Sequence, residues 1–473
     1  MAIIPHHGVR VFQSGADPVL VNFVDTSVIG LLMAVDPTAL PVGVDTDTPI
    51  LIQKPSDAEG YPDAVKNELD TIFDQGSTRI VVVLVDAGAD ASEARTAAIG
   101  DATAKTGIHA FRAATAAGRP KPKLLVAPGL SAATADDGIA SVSVDTPGSG
   151  YSDDVSATIS TSTGSNAELE VTVVGGEITT IGVAKPGYGY VALDTIVITD
   201  NGGSGTGATA SLTVGEVMNP VAAEAMGICE KLRAQFYADG PDTTDADALS
   251  TAQLFGSRHI CLCDPKVLKF VDGVTTPFVS STVFAAQQAA MDRRFGPHYP
   301  ASNQLINGIQ GVTRAVEYGI EATTLNEAGI NTIINRGDGF RTWGPMTTAV
   351  GTVWRFVSVK RVADLVNESI EDAFVRFNDR PQTRQNLDLM VIAGREALQR
   401  LENEGILLPG SQFFLSDNLT PADGAAGIVK FGMRFEPPAP IYDVRITASR
   451  NIQIGYELLY NSVTGQIDTG SAI

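Results

Sequence analysis

Cysteine is scarce: the 473-residue chain has three, Cys229, Cys261 and Cys263. They are too few and too clustered for a disulfide framework. No apolar run reaches the length needed to cross a bilayer, and no stretch has the layout of a secretory leader. The expectation is a soluble protein made in a reducing cytoplasm. Basic charge is also short, with 33 Lys and Arg against 54 Asp and Glu and a formal net charge of −21. That balance argues against direct nucleic-acid binding and for solubility at high local concentration. Two catalytic signatures are missing as well. The sequence has neither Gly-x-x-x-x-Gly-Lys-Ser/Thr nor Gly-x-Ser-x-Gly, so it lacks the marks of a nucleotide-driven motor and of an α/β-hydrolase.

What the sequence does have is apolar patterning: 44% of its residues are hydrophobic, enough for two to four domains at this length. Residues 1–18 carry Val9-Arg10-Val11-Phe12 as a short extended piece without a local partner, and read as an arm. From residue 19 to about 130, continuous apolar runs at 28–35, 80–85 and 124–126 alternate with helical spacing at 62–75 and 91–117. Runs apolar on both faces, interleaved with helices, predict a mostly parallel sheet covered on both sides. The same pattern resumes at Asn219-Pro220, an N-cap followed by proline at the first helical position. Residues 19–137 and 217–330 are therefore expected to form one interrupted domain.

The interruption, 138–216, is rich in Gly, Ser, Thr and β-branched residues and has one basic residue, Lys185, against nine acidic ones. It repeats: Pro147-Gly148-Ser149-Gly150-Tyr151 recurs 39 residues later as Pro186-Gly187-Tyr188-Gly189-Tyr190. Ile139 answers Ile178 at the same offset, and Gly164–Ala167 answers Gly205–Ala208 after a two-residue slip. This predicts an inserted all-β domain made of two copies of one unit. Its Gly202-Gly203-Ser204-Gly205-Thr206-Gly207 lies between strands. A phosphate-binding loop would instead open a helix, so the run is a turn.

Other candidate sites are thin. His259, Cys261 and Cys263 would share one face of a strand, but at about 6.6 Å spacing they cannot all hold one tetrahedral metal. A buried strand with small thiols is the better reading. His6-His7 has no third ligand nearby. No metal, cofactor or catalytic residue is assigned.

Toward the end, 331–460 is expected to be a C-terminal α+β domain. Strands are predicted at 330–334 and 353–359, followed by two helices, the second closed by Gly405. Three alternating runs then predict a half-buried antiparallel meander: Phe431, Met433 and Phe435; Val444 and Ile446; Ile452, Ile454, Tyr456 and Leu458. The last strand would be an edge, followed by a loose tail at 461–473, and an unblunted edge offers backbone to another chain. Arg336, Arg341, Arg355, Lys360, Arg361, Arg376, Arg380 and Arg384 gather in this otherwise acidic chain. They fit either surface ion pairing with Asp364, Glu368, Glu371 and Asp372 or a docking face for an acidic partner.

Several ordered motifs now resemble one family. His6-His7-Gly8-Val9-Arg10-Val11, Gly15-Ala16-Asp17-Pro18-Val19 and Thr26-Ser27-Val28-Ile29-Gly30-Leu31 look like the start of the contractile tail sheath proteins of myovirus phages. Lys121-Pro122-Lys123-Leu124-Leu125-Val126-Ala127-Pro128-Gly129 resembles their strand ending in Ala-Pro-Gly. Pro300-Ala301-Ser302-Asn303-Gln304-Leu305-Ile306-Asn307-Gly308-Ile309, Asn326, Gly329-Ile330-Asn331 and Arg341-Thr342-Trp343-Gly344 are similar to their most characteristic block. Pro345-Met346-Thr347 stands where the family often has Asn-Arg-Thr.

The resemblance implies a structural subunit that polymerises as helical rings around a tail tube and contracts to drive the tube through the host envelope. Its implied partners are itself, the tail tube protein, and baseplate and tail terminator proteins, without membrane insertion. Its implied place is the virion tail, assembled in the host cytoplasm. It also implies that chain ends add strands to neighbours' C-terminal sheets. On this sequence the arms map to about residues 4–12 and 457–467, with Val9, Arg10, Val11, Phe12, Leu458, Leu459 and Tyr460. The accepting sheet maps to Phe431, Met433, Phe435, Val444, Ile446, Ile452, Ile454 and Tyr456. Lys360 and Arg361 become candidates for the tube-facing surface, and the acidic insert is expected to face outward. Two alternatives stay open: the sheath of a phage-tail-like bacteriocin or secretion-type injection device, and an α/β enzyme with a β adhesion module using Asp86 and Asp264.

Overall fold

The computed structural model describes residues 21–131 and 134–464. The expected arm with Val9, Arg10, Val11 and Phe12, the pair His6-His7, and the tail beyond residue 464 lie outside the described residues. The chain divides into two compact units, one ending at Ala439 and the other beginning at Pro440.

The first unit is built on an eight-stranded sheet. Its order is Phe340–Trp343, Ile330–Asn335, Ile260–Cys263, Gln235–Asp239, Leu124–Val126, Ile29–Val35, Ile80–Asp86, Ile50–Ile52. The six inner strands run parallel and the two edges antiparallel. Successive side chains of a strand point to opposite faces, so a run apolar on both faces needs a cover on each. Ile80, Val82 and Leu84 enter one core with Leu69 and Ile72 of helix Asp63–Gln75 and Phe284 of helix Ser280–Arg294. Val81, Val83 and Val85 enter the other with Ile228 of helix Pro220–Leu232 and Leu325 of helix Ile320–Glu327. Each fully buried Ile, Leu or Val contributes about 1.5–3 kcal/mol, so these two cores dominate the stability of the unit. Asn219 caps its helix as expected, its side chain accepting from the amides of Val221 and Ala222.

The sheet takes strands from both sides of the insert, and it also takes two strands expected elsewhere. Ile330–Asn335 and Phe340–Trp343, expected to open the C-terminal domain at 331, extend it through the pairing of Leu262 with Ile330 and of Thr332 with Trp343. Local pattern announces a strand but not which sheet completes it. The strand expected at 353–359 is absent: helix Val357–Phe374 begins there. Val359, Val362 and Val366 recur at helical rather than two-residue spacing.

In the insert, the two repeats are intertwined. The first strand, Ala135–Ser149, pairs with the last, Thr206–Val217, and Ser165–Val174 pairs with Glu177–Tyr188. The middle strands Val155–Ser160 and Thr195–Asp200 pair with each other. The two tyrosines play the same part in each copy. The Tyr151 hydroxyl accepts from the Ala208 amide at 3.2 Å, and the Tyr190 hydroxyl from the Ala167 amide at 3.2 Å. The Tyr151 amide donates to the Gly176 carbonyl and the Tyr190 amide to the Asp137 carbonyl. Residues 137 and 176 are themselves one repeat apart, so each copy closes a bond on the other. Gly148 and Gly187 take φ of +67° and +60°, and a Cβ at either would stand within 2.7 Å of a partner strand's backbone. Only glycine fits both demands.

Candidate assembly interface

Downstream of the large sheet, helices Val357–Phe374 and Arg384–Asn403 pack with a two-stranded sheet, Gln412–Leu415 against Phe431–Arg434. Gly405, with φ +74°, follows the second helix as expected. Val362, Val366, Leu398, Leu401 and Phe413 form the core, and Phe431, Met433 and Phe435 pack against it. The alternation at 431–435 thus buries the face it was expected to bury. Phe413 and Phe431 stack at 5.3 Å, and Phe374 meets each edge-on at 5.5 and 5.7 Å. Gly394 gives Phe413 room: a Cβ there would lie 2.5 Å from the ring.

This sheet stops at two strands among the described residues. On the Gln412–Leu415 side the Arg395 side chain donates to the Phe413 carbonyl at 2.9 Å and the Ser411 amide to the Glu402 carboxylate, whereas no described strand lies beside Phe431–Arg434 on its outer side, and a bare strand edge is the usual template for a strand from another chain.

The rest of the expected meander is not there. Val444 and Ile446 lie in a stretch, 440–451, without regular secondary structure, and Ile452, Ile454 and Tyr456 begin helix Ile452–Thr464 instead of a strand. Leu458, Leu459 and Tyr460 are on the same helix. The side chains are out in solvent: Ile446 is 85% exposed, Leu458 65% and Val463 79%. A strand exists only where another strand completes its ladder. Without one, the 440–451 stretch stays open and the next residues close the local bonds a helix allows.

Lys360 and Arg361, expected to face a tube, are buried instead, at 5% and 4% exposure. Lys360 pairs with Asp364 one turn on, and Arg361 pairs with Asp292 and donates to the Thr26 carbonyl. The acidic residues of this helix reach the large domain: Glu368 meets Lys121 and Lys123, and Glu371 meets Arg233. The helix is thus seated through ion pairs, of which Lys123–Glu368 and Arg361–Asp292 are buried. Asp292 stands 69 residues before Arg361, so no local reading of charge could have paired them. Others of the late basic residues also have partners. Arg341 pairs with Asp338, and Arg336 lies over the Tyr318 ring at 4.4 Å.

The residues offered for chemistry serve the fold. Asp86 is exposed and accepts from the Gly88 amide, while Asp264 is buried, accepts from the Asp242 amide and pairs with Arg314. Cys261 and Cys263 are buried on their strand, and burial pushes the Cys261 thiol up to about 12. The His259 Nδ1 lies 3.2 Å from the Ala234 carbonyl.

One buried carboxyl should be felt in solution. Burial pushes Glu68 from 4.5 up to about 7. The folded chain therefore keeps a proton the unfolded chain releases, and the stability this gives is lost as pH rises from about 4.5 through about 7. Glu68→Gln is expected to match the parent near pH 4 and exceed it by about 3 kcal/mol at pH 8, read by urea unfolding at both pH values. A constant difference between the two would contradict the assignment.

Residues 209–348 match the family model described as the phage tail sheath protein central domain. A putative prophage major tail sheath protein of Pseudomonas aeruginosa (strain UCBPP-PA14) is 33% identical over 232 residues, covering 47% of this chain and 60% of its own length. The tail sheath protein of Escherichia phage P2 is 26% identical over 237 residues, covering 48% of this chain and 59% of its own. That of Burkholderia phage BcepMu is 30% identical over 256 residues, covering 49% and 53%. The chain thus spans little more than half the length of these curated relatives. Among solved structures, the helical sheath of the anti-feeding prophage in its contracted state aligns with a TM-score of 0.60 at 14% identity, covering 95% of this chain and all of the other. The contracted PVC sheath complex of an extracellular contractile injection system aligns with a TM-score of 0.58 at 14% identity, covering 96% and 100%. At such identity the likeness is one of fold.

Proposed function

We infer that this relative of the phage tail sheath proteins is the subunit of a contractile sheath, polymerising in helical rings around a rigid tube and shortening to drive it through a host envelope. The observation that carries this reading is the mismatch within the C-terminal region. The sheet at 412–434 has no third strand among the described residues, while a downstream segment patterned for strands, 440–451, has no regular secondary structure and is largely exposed. A second copy supplies what each lacks. Strand addition between subunits holds through backbone bonds and leaves the domain bodies free to reorient. Head-to-tail contacts that do not close generate a helix of subunits. The extended array would stand behind a kinetic barrier above a contracted one, so no nucleotide or cofactor is called for.

In this account the C-terminal linking arm starts at Pro440, earlier than the sequence pattern placed it, and 412–434 is the accepting sheet. The N-terminal residues, with Val9 to Phe12, form the other arm. The partners are further copies of the chain, a tail tube protein, a baseplate and a terminator, and the setting is a virion tail assembled in the host cytoplasm. The insert faces outward. The fold likeness to injection-system sheaths favours one second reading, a phage-tail-like device without a genome to deliver. Electron microscopy of the concentrated protein is expected to show striated tubes of uniform diameter. Monomers at every concentration would favour the enzyme alternative.

A further inference from the structure

The two intertwined repeats offer an internal control, because one fold is built twice within one chain. Where copies that share a backbone differ in side chain, the difference reports what each copy touches. Three differences stand together. Asp137 answers Gly176, Lys185 answers Thr146, and Tyr188 answers Ser149, each at the 39-residue offset.

All three second-face residues meet the α/β domain or brace the turn that does. Tyr188 is 8% exposed and belongs to the same core as Val221 and Ala225 of helix Pro220–Leu232, with the Arg95 guanidinium 4.9 Å above its ring. Asp137 accepts from the Gly189 amide at 2.9 Å and pairs with Arg95 at 3.1 Å. Lys185, the only basic residue of the insert, bridges Glu168 at 2.6 Å and Glu224 of the α/β domain at 3.5 Å. Glu224 also faces the buried Nε2 of His109 at 3.2 Å. Contact with His109 and Lys185 holds the Glu224 carboxyl below its ordinary value. Ser149, in the place of Tyr188, is exposed.

We propose that the turn Pro186–Tyr190 with Lys185 and Asp137 is a docking face that locks the insert onto its own α/β domain, so that insert and subunit move as one rigid piece. The strands at 135 and 217 alone would give a hinged tether; the Tyr188 plug and its two flanking ion pairs add a third point of attachment. Cutting the contact should free the insert without unfolding it, because the first copy holds the same turn with Thr146 and Ser149. This inference is intramolecular, and its test on the isolated subunit is independent of the sheath reading.

The test converts the second copy to the first: Lys185→Thr with Tyr188→Ser. Spin labels at Thr172→Cys in the insert and Asp70→Cys in the α/β domain, both exposed positions, report the distance, since the native cysteines are buried. The parent is expected to give one narrow distance distribution and the double variant one at least twice as wide. Amide exchange in helix Pro220–Leu232 should rise tenfold or more, with strands Ala135–Ser149 and Thr206–Val217 as protected as before. Tyr188→Phe, which keeps the plug, should behave as the parent. A broad distribution already in the parent, or a narrow one in both, would overturn the lock. If the double variant loses protection throughout the insert, it no longer reads the contact, and Glu224→Gln, outside the insert, decides: a widened distribution is expected, and an unchanged one overturns the lock.

Discussion

A chain ending at Ala439 is expected to fold as the full chain does and to form no tubes at concentrations where the full chain polymerises. Apolar side chains at the start of the removed stretch are exposed, Ile441 at 87% and Val444 at 70%, and 440–473 forms a unit by itself. Removing them should leave the unfolding midpoint within about 2 °C, a change under about 1 kcal/mol on the usual conversion. It should also raise solubility, because a run of exposed apolar side chains promotes association. Assembly should be lost outright, since without the segment the sheet of 412–415 and 431–434 has no strand to accept. Sedimentation and negative-stain microscopy read both outcomes. Tubes of normal length from the shortened chain would remove 440–464 from the linkage.

Breaking the pair between Arg361 and Asp292 is expected to cost about 3–5 kcal/mol, because one charge is then left buried without a partner. Both side chains are almost fully covered, and Asp292 also accepts from the Gln288 side chain. Asp292→Ala should therefore lower the urea midpoint sharply, with the helix Val357–Phe374 losing its seat on the large domain. Replacing both residues, Asp292→Leu with Arg361→Met, should recover most of the loss, since an apolar pair of similar volume is often neutral. This separates the buried role from a docking role. A tube-facing arginine would tolerate Arg361→Glu in the isolated subunit, whereas here that change should unfold the C-terminal region. Normal stability of Arg361→Glu would restore the surface reading.

The sequence made the large sheet readable because 28–35, 80–85 and 124–126 are apolar on both faces, a demand that only a doubly covered strand meets. The repeat was readable from Pro-Gly-x-Gly-Tyr alone, although its intertwining was not: self-similarity says that two units exist, not which strands they exchange. At 431–435 alternation marked both the strand and its buried face. At 444–458 the same alternation marked what a strand would bury, but a partner strand is a long-range fact and the described residues supply none. The burial of Lys360 and Arg361 is hidden from the sequence for a related reason. Their charge was visible, but the partner of Arg361 and the burial of both came from packing against residues far upstream. The lock was available in principle, because Tyr188 against Ser149 and Lys185 against Thr146 are differences inside a repeat already recognised.

The central claim is that the subunit's C-terminal region is completed by another copy, and electron cryo-microscopy of the assembled protein tests it most directly. The account predicts a helical tube in which residues of 440–464 run extended along the edge of the 412–415 and 431–434 sheet of a neighbouring subunit. An ordered tube in which that segment folds back onto its own subunit's sheet, or keeps helix 452–464 away from every neighbour, would contradict it.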